Sequence, residues 1–467
     1  VVAAGDFAEL GTPAALVAVL TGQGIEVPTP IQAATIADAL AGRDVLGRAR
    51  TGSGKTLAFA LPTISSLRDS GSRRLPYKPR ALVLVPTREL ASQVSAVFAP
   101  LAKATGMRTT TVYGGVGQSP QVRALKDGID VLVACPGRLE DLISQGRCAL
   151  DAVEVTVLDE ADHMADLGFL PAVTRLLGQT PRGTQRMFFS ATLDGAVDGL
   201  ARRFLDDPVT HSVKPVQAEV TTMTHHVFGV RVADKNAVVT ELAAGQGRTL
   251  MFTRTKHVAK KWARHLTAAG IPAVDLHGNL SQAARERNLA AFSRGDVRVL
   301  VATDIAARGI HVEGVDLVVH VDPPAEHKAY LHRSGRTARA GATGTVVTLS
   351  TPDQRSDVRT LTKRAGIAVE PRSVAPGDAA IGELTGPAAP RVEPKASDRT
   401  RPDAQRNERH RKSPRSRSRE AANRNAGSSA GARRDGGRAA EQRGSRQSSA
   451  SAVSERGSRR GRSRRAA

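Results

Sequence analysis

The sequence predicts an α/β protein with two successive domains, each a parallel sheet with helices on both faces, followed by a basic tail without a core. Three observations predict this. Short apolar, β-branched runs alternate with amphipathic stretches up to residue 210, and strands joined through helices lie parallel. The same rhythm restarts after a polar, aperiodic stretch at His211–Val220, which reads as a linker. Beyond Ala375 the composition shifts to Arg, Ser, Ala and Gly, and no Phe, Tyr or Trp follows Tyr330. That segment lacks the apolar content to bury a core and is expected to be disordered. The boundaries drawn are 5–33 for an N-terminal region, 34–210 and 223–375 for the two domains, 211–222 for the linker and 376–467 for the tail.

Charge is placed as unevenly as composition. From Gly386 onward there are 23 Lys and Arg against 8 Asp and Glu, a net +15 of the chain's +22. Arg-rich flexible segments of this kind bind phosphate backbones with little sequence preference. Two cysteines, Cys135 and Cys148, cannot build a disulfide framework or a zinc site and fit a reducing compartment. No apolar run approaches the ~18 residues of a membrane span, and no signal pattern opens the chain. A soluble, cytoplasmic protein with no membrane partner is expected.

Residues 1–43 look helical, with breaks at Pro13, Gly22, Gly24 and Pro28-Thr29-Pro30. The prolines fix a turn that presents Gln32 at a helix start, and its amide can both donate to and accept from an adenine edge. Next, Ala49-Arg50-Thr51-Gly52-Ser53-Gly54-Lys55-Thr56 follows a short apolar run and precedes a helical one. Strand, glycine loop, helix is the context of a phosphate-binding loop. Gly52 and Gly54 let backbone N–H groups crowd a phosphate, Lys55 reaches the β/γ-phosphates and Thr56 can ligate Mg²⁺. The strict pattern has Gly where this chain has Ala49.

Strands are then expected at Ala81–Val85, Thr109–Tyr113, Val131–Cys135, Val155–Asp159 and Met187–Ser190. Their ends carry Pro86-Thr87-Arg88-Glu89-Leu90, Gly114-Gly115, Cys135-Pro136-Gly137-Arg138, Asp159-Glu160-Ala161-Asp162 and Ser190-Ala191-Thr192. In a parallel sheet these ends share one edge. Three carboxylates there resist joint ionisation unless a cation shares the site. The second domain repeats the pattern, with strands at His226–Val232, Thr249–Thr253, Ala273–His277, Arg298–Thr303, Leu317–Val321 and Gly344–Leu349. Helices are expected at Lys256–Ala269, Gln282–Ser293, Glu326–Arg333 and Val358–Arg364. It has no phosphate loop. Arg336 and Arg339, three apart, share a helix face and can be a salt-bridged surface or arginine fingers.

Over residues 5–372 these motifs resemble, in order, the DEAD-box family of ATP-dependent RNA helicases. The resemblance rests on Phe7, GIEVPTPIQ (24–32), ARTGSGKT (49–56), PTREL (86–90), GG (114–115), DEAD (159–162) and SAT (190–192). FTRTK (252–256), TDIAARG (303–309) and HRSGRTAR (332–339) complete it. The Ala that opens the loop is the family's own version, and the basic tail looks like the bacterial RhlE-type branch. The resemblance implies two RecA-like domains with ATP and RNA bound across their cleft. It implies that Phe7 stacks on adenine, that Gln32 reads its edge, and that Ala49, Arg50, Thr51, Gly52, Ser53, Gly54, Lys55 and Thr56 hold phosphates and Mg²⁺. Asp159 would bind the metal through water, and Glu160 would activate the attacking water. Arg336 and Arg339 would stabilise the transition state, and Asp162, Ser190 and Thr192 would couple nucleotide to RNA. Pro86, Thr87, Arg88, Gly115, Arg138, Arg254 and Thr303 would line the RNA backbone. Single-stranded and duplex RNA are the implied partners, with ribosome-assembly and RNA-degradation complexes as candidate assemblies. Three positions depart from the pattern: Cys135 stands for Thr, Asn279 for Asp and His311 for Asp.

The reading is RNA-stimulated ATP hydrolysis coupled to local unwinding of RNA. Two other classes share parts of the plan: a DNA helicase or translocase, and an ATP-gated RNA clamp or annealing factor.

Overall fold

The structure is a computed structural model that describes residues 6–49, 52–193, 195–213, 223–307, 312, 314–338 and 342–393. Its centre is a pair of seven-stranded sheets. The first holds β1 (Val45–Arg48), β2 (Ala81–Leu84), β3 (Thr109–Val112), β4 (Val131–Ala134), β5 (Val155–Leu158), β6 (Gln185–Ser190) and β7 (Val209–Ser212). The second holds β8 (Met223–Gly229), β9 (Thr249–Phe252), β10 (Ala273–Leu276), β11 (Val299–Ala302), β12 (Leu317–His320), β13 (Gly344–Ser350) and β14 (Pro371–Ser373). The orders are β3-β4-β2-β5-β6-β1-β7 and β10-β11-β9-β12-β13-β8-β14, with every pairing parallel. Renumbered from its own first strand, the second order repeats the first, so the chain carries one topology twice.

Alternation along each strand feeds two cores, one per sheet face, because successive side chains point to opposite sides. Ala81 and Val83 of β2 join Phe59, Phe98 and Phe189 on one face, while Leu82 and Leu84 join Leu139, Leu142 and Phe188 on the other. In the second sheet Met251 and Val301 face one way and Leu250 and Leu300 the other. Strands buried on both faces read as continuous apolar runs, which is why they were legible.

Two boundary expectations are corrected, and one strand went unannounced. The linker was expected to begin at His211, but His211 and Ser212 belong to β7, which pairs with β1. An edge strand of sequence VTHS, half exposed, has no apolar run to announce it. Pro371–Ser373 forms β14 on the opposite sheet's edge, exposed throughout and equally silent. The folded chain also continues past Ala375. Helix Ala379–Thr385 buries Ala380 and Ile381 against the second domain, and Ala389 N donates to Ala244 O at 2.8 Å. The remaining expected linker, 214–222, and the expected tail from 394 onward lie outside the described residues.

A cut at Ala375 therefore removes part of the fold. We expect it to lower the unfolding free energy by about 2–4 kcal/mol relative to a cut after Glu393, from the lost burial of Ile381 and its neighbours. Urea denaturation checks this, and coincident midpoints would count against it.

Candidate functional site

The strand order decides which motifs meet. β5, β6 and β1 are neighbours, so the DEAD, SAT and phosphate-loop segments leave the sheet side by side. The loop after β1 closes on itself: Lys55 Nζ donates to Ala49 O at 3.0 Å, and helix Lys55–Asp69 starts at Lys55. Gly54 sits at φ +91°, where a Cβ would lie 2.6 Å from Gln32 Nε2 and from Thr29 Oγ1, so only glycine fits. Gln32 is the reason. Its Nε2 donates to Gly54 O at 2.9 Å and its Oε1 accepts from Thr29 N at 2.8 Å. The amide thus pins the proline turn to the loop, and one N–H and one lone pair remain for a base edge. Ser53 Oγ in this loop is buried and, among the described residues, has no hydrogen-bond partner. Phe7, expected to stack on adenine, is instead only 1% exposed and packed in the first core, so this arrangement presents no ring face. Arg50 and Thr51 lie outside the described residues.

At the end of β5 the chain turns sharply. Glu160 adopts φ 50°, ψ 52°, a left-handed conformation that costs a non-glycine residue of order 1 kcal/mol, and helix Ala161–Asp166 begins beyond it. Asp159 Oδ1 accepts from Glu160 N at 2.9 Å, and His163 Nδ1 lies 3.1 Å from Glu160 Oε2. Asp162 ties β5 to β6. Its N–H donates to Ser190 Oγ at 3.2 Å, and its Oδ2 accepts from Thr192 N at 3.0 Å and Thr192 Oγ1 at 3.1 Å. The three residues expected to couple the two sites are therefore one hydrogen-bonded unit.

The electrostatics follow from burial. Burial pushes the Asp159 carboxyl up to about 7, Lys55 opposes this, and the Glu160 and Asp162 charges reinforce it. Burial acts on Glu160 in the same direction. There the His163 hydrogen bond and the Lys55, His163 and Arg336 charges outweigh it and hold the carboxyl well below the usual range. Arg336 belongs to the second domain, in the turn after helix His327–Ser334, and is 9% exposed, with Nε donating to His332 O at 3.2 Å. Burial lowers His332, against the pull of Asp162 and Asp166 from the first domain. Arg339 lies outside the described residues, as does His311.

A second cross-domain contact escaped the sequence reading. Glu89 Oε1, beside Arg88, accepts from Arg285 Nε at 2.7 Å and from Gln282 Nε2 at 3.4 Å, both on helix Gln282–Arg294 of the second domain. Both side chains of the ion pair are buried. The available signal was the spacing of Gln282 and Arg285, three apart on the first turn of a helix. Deleting one partner strands a charge, at roughly 3–5 kcal/mol. We expect Glu89→Gln and Arg285→Met each to weaken ATP-dependent RNA affinity strongly and the double variant to cost little more than either. Additive losses in that cycle would refute a direct contact.

The residues expected along RNA end strands in the other half of each sheet. Pro86, Thr87 and Arg88 follow β2, Gly115 follows β3 and Arg138 lies in the helix after β4, while Arg254 follows β9 and Thr303 follows β11. Gly115 lies at φ +79°, directly under the Arg88 guanidinium, where a Cβ would clash. Arg138 donates to Val116 O at 3.3 Å. Cys135, where the resemblance expects Thr, is a buried thiol pushed up to about 12 by desolvation, and so stays protonated. Asn279 follows His277 at the end of β10.

Family models describing the DEAD/DEAH box helicase and the helicase conserved C-terminal domain match residues 29–199 and 234–341. The DEAD-box ATP-dependent RNA helicase 3B, chloroplastic, of Zea mays is 42% identical over 367 residues, covering 77% of this chain and 49% of the maize protein. The chain spans about half the length of the two maize relatives it matches. The ATP-dependent RNA helicase dbp2 of Aspergillus oryzae is 38% identical over 375 residues, covering 78% of this chain and 68% of that protein. A solved structure described as S. cerevisiae Dbp5 bound to RNA and ADP BeF3 aligns with a TM-score of 0.69 at 27% identity, covering 81% of this chain and 99% of that one. With its motifs in order and its two sheets so arranged, the chain belongs to the DEAD-box family of ATP-dependent RNA helicases.

Proposed function

We propose that this chain hydrolyses ATP when RNA is bound and uses the cycle to open short RNA duplexes or RNA–protein contacts. The observation that carries the proposal is the corner where Asp162, Ser190 and Thr192 form one hydrogen-bonded unit beside the phosphate loop, with the buried Glu89–Arg285 pair holding the second domain against the first. ATP and RNA would each favour the closed arrangement, so each tightens the other. Similarity to a protein solved with RNA and ADP BeF3 supports the same pairing of ligands.

Gly52, Ser53, Gly54 and Lys55 would hold the phosphates, with Ala49, Arg50 and Thr51 forming the rest of the loop. The Ser53 hydroxyl, buried and without a hydrogen-bond partner among the described residues, fits such a ligand. A divalent cation fits as well: burial, opposed by Lys55 and reinforced by the Glu160 and Asp162 charges, raises the Asp159 carboxyl, and a cation beside it would relieve that penalty. Thr56 and, through water, Asp159 would hold Mg²⁺, which when bound supplies Lewis-acid charge at the phosphates. Glu160 would orient and deprotonate the attacking water. Arg336, with Arg339, would place positive charge beside the transferring group. Asp162, Ser190 and Thr192 would pass the state of the nucleotide site to the RNA edge. Pro86, Thr87, Arg88, Gly115, Arg138, Arg254 and Thr303 would track the RNA backbone there.

We propose a cytoplasmic working site with this activity, consistent with two buried free thiols, Cys135 and Cys148. Among the described residues no helix is long and apolar enough to cross a membrane. The test is ATP turnover by the full chain alone, with RNA duplex and with DNA duplex. Stimulation by RNA with strand separation is the expected result, and turnover that ignores RNA or prefers DNA would overturn it.

A further inference from the structure

Helix Lys256–Ala268 has a sharply divided surface. Ala259, Trp262, Ala263 and Leu266 are buried against the second sheet. The opposite face exposes Lys256, His257, Lys260, Lys261 and Arg264, and Arg254 just ahead of the helix is exposed too. No Asp or Glu occurs between Glu241 and Asp275. Among the described residues, Lys256, Lys260, Lys261 and Arg264 make no ion pair. Glu241 on the neighbouring helix Lys235–Leu242 is engaged elsewhere, accepting from Gly377 N at 3.0 Å.

The stripe has a direction. Lys256, Lys260 and Arg264 repeat at four-residue steps, one above another, along a helix of about 20 Å. It starts at Arg254, on the sheet edge that carries the proposed RNA contacts, and runs to the opposite edge. There Val392 N donates to Gly270 O at 2.9 Å and the Arg391 guanidinium donates to Ala269 O, holding the chain's Pro390–Glu393 segment beside the helix end. The Arg-rich sequence from 394 onward is attached at that end.

We propose that this face of helix Lys256–Ala268 is a second phosphate-backbone surface, which takes the part of an RNA that continues beyond the cleft past Arg254. This rests on the proposed RNA-dependent activity and extends it to the flanking segment of the substrate. Unpaired lysines on an exposed face act as mobile point charges, which suits sequence-independent contact with phosphates. The exposed face offers no large apolar side chain to anchor a protein hot spot or to enter a lipid interface. RNA is the polyanion already proposed for the adjoining sheet edge.

The test uses the full chain with Lys260→Gln, Lys261→Gln and Arg264→Gln together, all exposed positions outside the cleft. An equal loss of charge at the exposed Lys103, Lys126 and Arg147 of the first domain serves as control. Affinity is measured over a salt series for a short single strand that fills only the cleft and for an RNA with a long flanking duplex. On the long RNA the stripe variant should bind on the order of tenfold more weakly, with the slope of log affinity against log salt flatter by about two to three. Its affinity for the short strand and its turnover on it should match the parent. An unchanged slope on the long RNA overturns the proposal, as does an equal change in the control. Loss of binding to a poly-glutamate probe with RNA binding intact also overturns it, because the face would then dock protein. If the parent protein shows no RNA-stimulated turnover with either RNA, it is the underlying reading that fails.

Discussion

Glu160→Gln is expected to reduce RNA-stimulated ATP turnover by about 10²–10⁴-fold while leaving ATP and RNA bound together. The replacement keeps the shape and the left-handed turn but removes the ability to take a proton. In the parent, burial opposes ionisation of this carboxyl, and the His163 hydrogen bond with the Lys55, His163 and Arg336 charges outweighs it and keeps the group ionised, able to accept a hydrogen bond from water. The binding elements proposed above are elsewhere: the loop around Lys55, and the strand-end residues Arg88, Arg138 and Arg254. Single-turnover hydrolysis measured beside RNA retention with ATP separates the two effects. A variant that turns over at the parent rate would sink the assignment of Glu160 as base, and one that also loses RNA would make Glu160 a structural residue.

Arg336→Ala is expected to lower kcat by about 10³-fold or more, with little change in the affinity of ATP for the open protein. The guanidinium comes from the second domain, so an ATP bound on the first domain alone does not meet it. In this structure Arg336 is 9% exposed and its charge contributes to lowering the Glu160 carboxyl. In that dry setting a fixed cation stabilises developing charge far more than it would in water. Arg336→Lys should not restore the rate, since a lysine lacks the planar fork that holds Nε on His332 O. A full rescue by lysine, or a loss confined to KM, would contradict a transition-state role.

Both predictions depend on a division of labour that sequence and structure revealed unequally. The sequence determined the local chemistry: Gly52-Ser53-Gly54-Lys55-Thr56 between a strand and a helix is the context of a phosphate-binding loop, and Val155–Leu158 runs unbroken into carboxylates because both faces of β5 are buried. It also determined the two α/β domains, because strands buried on both faces leave continuous apolar runs. It was silent on β7 and β14, whose exposed edges impose no pattern, and on helix Ala379–Thr385, which is held by long-range packing.

Tertiary structure decided what stands next to what. The order β5-β6-β1 brings Asp162, Ser190 and the phosphate loop into one corner, although they are far apart in the chain. Gln32 turned out to brace Gly54, and Phe7 to fill a core, because burial depends on neighbours that a one-dimensional motif does not name. Glu89 and Arg285 form a buried ion pair from two unremarkable surface residue types. A charge's role is set by distance and solvent access, which vary with the fold, whereas a residue's capacity to donate, accept or ionise is covalent and can be read directly from the chain.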